Sequence, residues 1–286
     1  MPHSTPLKSP HSDCLPSPFK VAAIQMVSAS TVEANIQTAG LWIARAAAQG
    51  ARLVALPEYF CLMGRKETDK LAVAESEGSG PIQTFLSATA LQHGIYLSSG
   101  SIPLVSPDAG RVFNTQLIYG PDGKQLARYD KIHLFSFTRG EESYDESRAI
   151  LAGDRVSRLE TPDITIGLSI CYDLRFPELY RALGQVDLIL VPSAFVHTTG
   201  KAHWELLLRA RAVENQCYVL APAQGGFHEN GRLTWGHSML IDPWGDILEV
   251  LPEHEGIVSG TIEPQRLIEV RQSLPALSHR TLFADK

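Results

Sequence analysis

From Phe19 onward, short runs rich in Val, Ile and Leu alternate with stretches of helical periodicity, the pattern of an α/β protein. KVAAIQM (from Lys20) reads as a buried strand and RLVALPEY (from Arg52) as the next. Between them, Val32, Ile36, Ala39, Ile43 and Ala47 form one helical stripe. Ser30 and Glu33 have capping-box spacing, and Gly50 suits the C-terminal cap. The order returns in the second half with ITIGLSICYD (from Ile164), a helical stretch near Pro177 to Gly184, and DLILVPSAF (from Asp187). Tyr96 in GIYLSSGSI matches Tyr218 in QCYVLAPAQ, and Pro121 and Gly123 match Pro243 and Gly245, each pair 122 residues apart. Two similar halves, each with helices on one face of its sheet, bury their bare faces against each other. The expected fold is therefore a four-layer αββα sandwich forming one domain over 19–286.

The N-terminus reads differently. Five of the 18 prolines fall within residues 2–18 together with four serines, a composition that favours a disordered tail over 1–18. The whole chain of 286 residues is 44% hydrophobic and 20% charged, ordinary for a folded protein. Its net charge of −6 argues against a duplex-binding partner, which needs a clustered basic face. No apolar run reaches the roughly 18 residues of a membrane span, and the first residues lack the apolar core of a secretory signal. A cytoplasmic location is expected. Cys14, Cys61, Cys171 and Cys217 are scattered without CxxC or Cys/His ligand spacing, so free thiols, no metal and no cofactor are expected.

Reactive groups in α/β proteins gather where apolar strands end. Glu58 follows LVALP, Lys131 sits in RYDKIHLF, and Cys171 follows ITIGLSI. Singly, each has an ordinary reading: a solvated carboxylate, a surface lysine, a small buried hydrophobe. Together they supply a nucleophile, a proton acceptor and a positive charge for an oxyanion, the needs of thiol-based acyl transfer. A lysine close to the thiol is also expected to lower its ordinary pKa of about 8.5. Two other readings are a catalytically silent binding scaffold, and a Cys/His peptidase, which leaves the Glu and Lys segments without a role.

LPEYF at Leu56, YDKIHLF at Tyr129 and CYDLRFPEL at Cys171 resemble, in that order, the three catalytic segments of the carbon-nitrogen hydrolase, or nitrilase, superfamily. The resemblance runs from Phe19 to nearly the C-terminus. It implies an αββα sandwich, a Glu58–Lys131–Cys171 triad, and a second glutamate, for which Glu146 in YDES fits and Glu141 and Glu142 fit less well. It also implies that the Tyr172 backbone N–H helps hold an oxyanion and that Thr198 and Thr199 contact substrate. The segments from Pro192 and from Trp235 most resemble the deaminated glutathione amidase branch, with the ω-amidases next. The implied substrate is a small-molecule amide on a keto acid, whose carboxylate needs a cation; Arg175 is suited to it, or else pairs with Asp173 or Glu178.

Leu206, Ala210, Val213 and Cys217 fall on one stripe of a helix expected over Lys201–Gln216, with Arg209, Arg211 and Glu214 left for polar contacts. The resemblance implies a homodimer contact through this helix. His203 and Trp204 read as packing residues, and His237 as a hydrogen-bonded structural histidine.

Overall fold

The computed structural model describes residues 17–140 and 142–282, so most of the tail expected over 1–18 lies outside the described residues, as does Glu141. Strands β1 (Phe19–Gln25), β2 (Leu53–Ala55) and β3 (Tyr96–Ser98) run parallel, joined by helices α1 (Val32–Ala48) and, after a single turn α2 (Asp69–Ala72), α3 (Pro81–His93). The strands β4 (Ile102–Val105), β5 (Val112–Tyr119) and β6 (Gln125–Asp130) complete one side antiparallel, β5 pairing with β3. A short hairpin, β7 (Ser136–Arg139) and β8 (Glu142–Asp145), follows.

The second sheet begins with β9 (Arg158–Glu160) and has its own parallel core: β10 (Thr165–Leu168), helix α4 (Pro177–Ala182), β11 (Leu188–Leu190), helix α5 (His197–Asn215) and β12 (Tyr218–Ala221). A two-stranded ribbon of β13 (Gly225–Phe227) and β14 (Leu233–Trp235) precedes the hairpin β15 (Ser238–Ile241) and β16 (Ile247–Leu251). Strand β17 (Gly256–Ile262) then crosses back to pair antiparallel with β1, and α6 (Pro264–Ser273) follows. The repeat is realised in the sheets. Tyr96 opens β3 and Tyr218 opens β12, each third in its parallel trio, while Gly123 and Gly245 both take positive φ in the following hairpin turns.

Alternation within the strands makes the layers. On β1, Val21 and Ala23 join β2 and the apolar residues of β10–β12 and β15 in the core between sheets, while Ala22 and Ile24 face Ala39 and Ile43 of α1 and Leu86 of α3. On the far side, Leu179 of α4 with Trp204 and Leu208 of α5 covers the second sheet. This is the expected αββα sandwich. Proline at the first turn of α3, α4 and α6 starts each helix with a preset φ, and Gly94 ends α3 in the left-handed conformation.

Three local expectations are corrected. The capping box of α1 does not form: Thr31 is the N-cap, and the Ser30 hydroxyl donates instead to Glu229 at 2.5 Å. On α5, the stripe expected to pack is largely the outward face, with Leu206 68% and Val213 46% exposed. The buried face carries Trp204, Leu208, Arg211, Ala212 and Asn215. Both stripes have helical spacing, and specific polar contacts select between them. Trp204 Nε1 donates to the His237 carbonyl, and the buried Arg211 guanidinium donates twice to the Leu174 carbonyl. His203, expected to pack, is exposed, whereas Trp204 is buried. His237 fits its structural reading, with Nδ1 2.8 Å from the Trp235 carbonyl and its ring stacked on Trp235.

Among the described residues, no helix is long and apolar enough to cross a membrane.

Candidate active site

Four buried side chains converge between the C-terminal ends of the two parallel trios. Glu58 follows β2 through Leu56 and Pro57, and Tyr59 beside it adopts φ 55°. That tight turn passes Gly100, where a Cβ would stand 2.0 Å from the Pro57 carbonyl oxygen, so no side chain fits there. Lys131 immediately follows β6, fixed by its N–H donating to the Asn114 carbonyl. Glu146 opens a one-turn 3-10 helix whose N-cap is Asp145.

Cys171 opens a second 3-10 helix, Cys171–Arg175, just past β10. Its φ of 49° is a left-handed conformation that costs a non-glycine residue about 1–2 kcal/mol, so the surroundings must hold it. The Cys171 N–H donates to the Pro192 carbonyl at 3.0 Å. Fully buried Asp173 clamps the turn by accepting from Ile170 N–H at 2.9 Å, Tyr129 Oη at 2.7 Å and His133 N–H at 3.0 Å. Arg211 holds the other end through the Leu174 carbonyl. Sequence reading offered Asp173 only as an ion-pair partner of Arg175 and Arg211 only for unspecified polar contacts, because the Tyr129 and Leu174 partners lie far away in the chain.

The Lys131 ammonium sits between two carboxylates. Its Nζ donates to Glu58 Oε1 at 2.9 Å and to Glu146 Oε1 and Oε2 at 3.1 and 2.8 Å. Glu58 also accepts from Asn114 Nδ2 at 3.0 Å and Ala194 N–H at 2.9 Å. Glu146 accepts from Tyr59 Oη and from Phe135 N–H, both at 2.7 Å. Burial disfavours charge on Lys131, but Glu146 and Glu58 outweigh it and hold the ammonium well above the ordinary lysine value. Burial likewise disfavours charge on Glu146, yet Lys131, followed by Lys70, keeps its carboxyl below the ordinary glutamate value.

Cys171 reverses an expectation. Burial pushes its thiol well above the ordinary value, the Glu58 charge adds to the rise, and Lys131 only opposes it. Lys131 is already neutralised by two carboxylates, so it has little field left with which to stabilise a thiolate. Burial and the neighbouring Glu58 charge together favour the protonated thiol.

The cleft above Cys171 is lined by Glu58, Glu146, Phe135, Tyr172, Arg175 and Thr199, with Phe195 and Arg232 closing it. The Tyr172 ring packs edge-on against Phe135 and Phe176. Arg175 makes neither of the anticipated ion pairs, since Asp173 is turned inward and Glu178 does not reach it. Its Nη1 lies 3.3 Å from His203 Nδ1, and its guanidinium sits 5.6 Å from the ring centres of Tyr172 and Phe195. Thr199 is in the cleft, but the Thr198 hydroxyl donates to Glu142 at 2.9 Å, outside it. That contact places Glu142 away from Lys131 as well. Arg232 was missed entirely: it comes from the β13–β14 connection, where only the ribbon's pairing directs it to the cleft. Among the described residues, no group of three or more His, Cys, Asp or Glu could hold a metal ion.

A carboxylate and a thiol lining one cleft, with a buried ammonium bonded to that carboxylate, supply the groups that acyl transfer needs. Comparison with known proteins agrees. Residues 20–272 match the carbon-nitrogen hydrolase family model. A deaminated glutathione amidase of Synechocystis is 44% identical over 92% of this chain and 98% of its own. The human omega-amidase NIT2 is 40% identical over 92% and 95%. The solved structure of the C. elegans NitFhit protein superposes with a TM-score of 0.86 at 38% identity, over 93% of this chain and 66% of that longer one. By its cleft, its paired sheets and its sequence, the chain belongs to the carbon-nitrogen hydrolase family.

Proposed function

We propose that the protein hydrolyses deaminated glutathione to 2-oxoglutarate and cysteinylglycine through a thioester on Cys171. The observation that carries this reading is the placement of Cys171 on a strained turn beside the buried Glu58–Lys131–Glu146 cluster. Glu58 accepts the thiol proton as sulfur attacks the amide carbonyl, so the charge on sulfur never has to develop alone. The tetrahedral oxyanion takes hydrogen bonds from Lys131 and from the Tyr172 N–H, which stands in the first turn of its 3-10 helix where amides have no intrahelical acceptor. Glu58 then passes its proton to the departing amine as the C–N bond breaks. Water, deprotonated by Glu58, attacks the thioester, and the thiol is restored. Glu146 holds Lys131 in position throughout.

Arg175, free of any carboxylate among the described residues, suits the keto-acid carboxylate, with Thr199 beside it. Thr198 is withdrawn from substrate contact by its bond to Glu142. The second reading is an ω-amidase that releases ammonia from α-ketoglutaramate, favoured by the 40% identity to the human omega-amidase. Both substrates present the same five-carbon acyl group. Assay of 2-oxoglutarate release from the two amides side by side separates them: the higher kcat/KM is expected on deaminated glutathione, and a preference for α-ketoglutaramate replaces the first reading with the second.

The outward Leu206 and Val213 on α5 support a homodimer across that face, to be checked by sedimentation at micromolar concentration. A reducing, cytoplasmic setting accords with the buried free thiols of Cys61 and Cys217.

A further inference from the structure

A second cavity adjoins the cleft, sharing Arg232 as a wall and reaching Tyr59, whose hydroxyl is bonded to Glu146. It encloses about 360 Å³, against about 10 Å³ in the cleft at Cys171. Its charge is unusual for a chain of net charge −6. Lys70 pairs with Glu67 at 2.5 Å and Arg148 with Asp145 at 3.3 Å, but Arg65, Lys66 and Arg232 have no carboxylate in salt-bridge contact among the described residues. Arg232 carries a further oddity. Its Nη2 reaches the Ala194 carbonyl at 3.3 Å, yet its Nε is buried without any hydrogen-bond acceptor. That nitrogen is shielded from solvent, so a ligand meets the half-buried guanidinium at its terminal nitrogens, where a carboxylate accepts charge-assisted hydrogen bonds.

We infer that this basic vestibule binds the carboxylate of the departing group, with Arg232 as its principal contact and Arg65 and Lys66 attracting it from the rim. The inference rests on the dipeptide-releasing reading above and deepens it. Two residues in extended form span about 7 Å, so the terminal carboxylate of cysteinylglycine lies well outside the reacting atoms. It needs a separate anion site on the leaving-group side of Cys171, distinct from the cation that takes the keto acid. On this reading the acyl chain is seated at Cys171, and the larger, positively charged space beside it suits the dipeptide. Arg232 stands at the junction. Remote binding of this kind lowers the barrier by fixing the scissile carbonyl against the thiol. An ammonia-releasing amide gains nothing from it.

The test compares kcat/KM of the full chain on deaminated glutathione, on the same compound with its glycine carboxylate converted to carboxamide, and on α-ketoglutaramate. The wild type is expected to prefer the free carboxylate over the carboxamide by about tenfold or more, the range of a charge-assisted hydrogen bond. Arg232→Gln should erase that preference and Arg232→Lys keep part of it. Arg65→Ser with Lys66→Ser, both exposed, should reduce it a few-fold and flatten its decline with salt. A wild type that treats carboxylate and carboxamide alike overturns the vestibule inference while leaving the amidase reading intact, and needs no variant to fold. Equal losses on all three amides in Arg232→Gln also overturn it. Wild-type cleavage of α-ketoglutaramate alone overturns the substrate reading and, with it, the inference.

Discussion

The two halves of the molecule use one plan and divide the proposed chemistry between them. In the first sheet Val21 stands opposite Leu53, and in the second Ile166 stands opposite Leu188. Five residues beyond Val21 and Ile166 the chain reaches Met26 and Cys171; five beyond Leu53 and Leu188 it reaches Glu58 and Ser193. The proposed nucleophile and the proposed proton acceptor therefore occupy different positions of the repeat, one in each half. Met26 is fully buried, and the Ser193 hydroxyl donates to the Val191 carbonyl. At both sites without a catalytic assignment the chain has placed packing and backbone satisfaction. The repeat also brings the loops together, since the Ala194 N–H donates to Glu58 at 2.9 Å across the two halves. A duplicated scaffold supplies two strand-end sites facing each other, and a reaction that needs two unlike groups fills one from each.

Substitution at the matched positions tests this division most severely. Cys171→Ala should lower turnover by at least about 10⁴-fold, because no thioester can form, with a melting temperature near wild type. Met26→Ala should do the reverse, costing about 2–5 kcal/mol in denaturant unfolding through its cavity while kcat changes little. If Met26→Ala loses turnover at unchanged stability, the halves are not divided as described. At the second pair, Glu58→Gln should cost about 10³-fold or more in kcat. It should also move the Cys171 thiol downward, since the like charge that raises it is gone, and thiolate absorbance against pH reads this directly. Ser193→Ala should leave kcat within about tenfold, a range typical of a buried hydroxyl rather than a proton acceptor.

Lys131→Ala should lower kcat by at least the roughly 10²- to 10³-fold typical of one oxyanion donor. Glu146→Gln should cost less, while iodoacetamide still labels Cys171.

The smallest effect concerns the contact between halves at His228, which joins the Ser28 carbonyl and the Thr234 hydroxyl at 3.0 and 2.8 Å. Burial keeps its pKa below the ordinary histidine value of 6.5. The unfolded chain then binds the proton first as pH falls, so stability declines below pH 6.5 until the folded histidine titrates. A fall of a few degrees in melting temperature between pH 7.5 and 5.5 is expected at most, and His228→Asn should flatten it. A slope unchanged in that variant assigns the decline elsewhere. Glu146, held low by Lys131, contributes in a lower window: its stabilisation is full above about pH 4.5 and is lost as pH falls through the folded value.

The sequence by itself determined the sandwich and pointed to the groups that the fold gathers at its centre. Strand and helix periods depend on residues near one another in the chain, and the match of Tyr96 to Tyr218 and Gly123 to Gly245 reported two similar halves. Glu58 and Cys171 were legible because each follows an apolar strand, where the fold class places chemistry, whereas Lys131 follows the largely polar β6 and was legible through its YDKIHLF segment. Tertiary structure alone decided which face of α5 is buried, since two stripes share its spacing and only the contacts of Trp204 and Arg211 distinguish them. The thiol's direction was decided the same way: proximity to Lys131 suggests a lowered pKa, but burial, followed by the Glu58 charge, outweighs it and reverses the sign. Asp173, Arg211 and Arg232 act through partners many residues away, and no local pattern encodes a contact whose two ends are brought together only by folding.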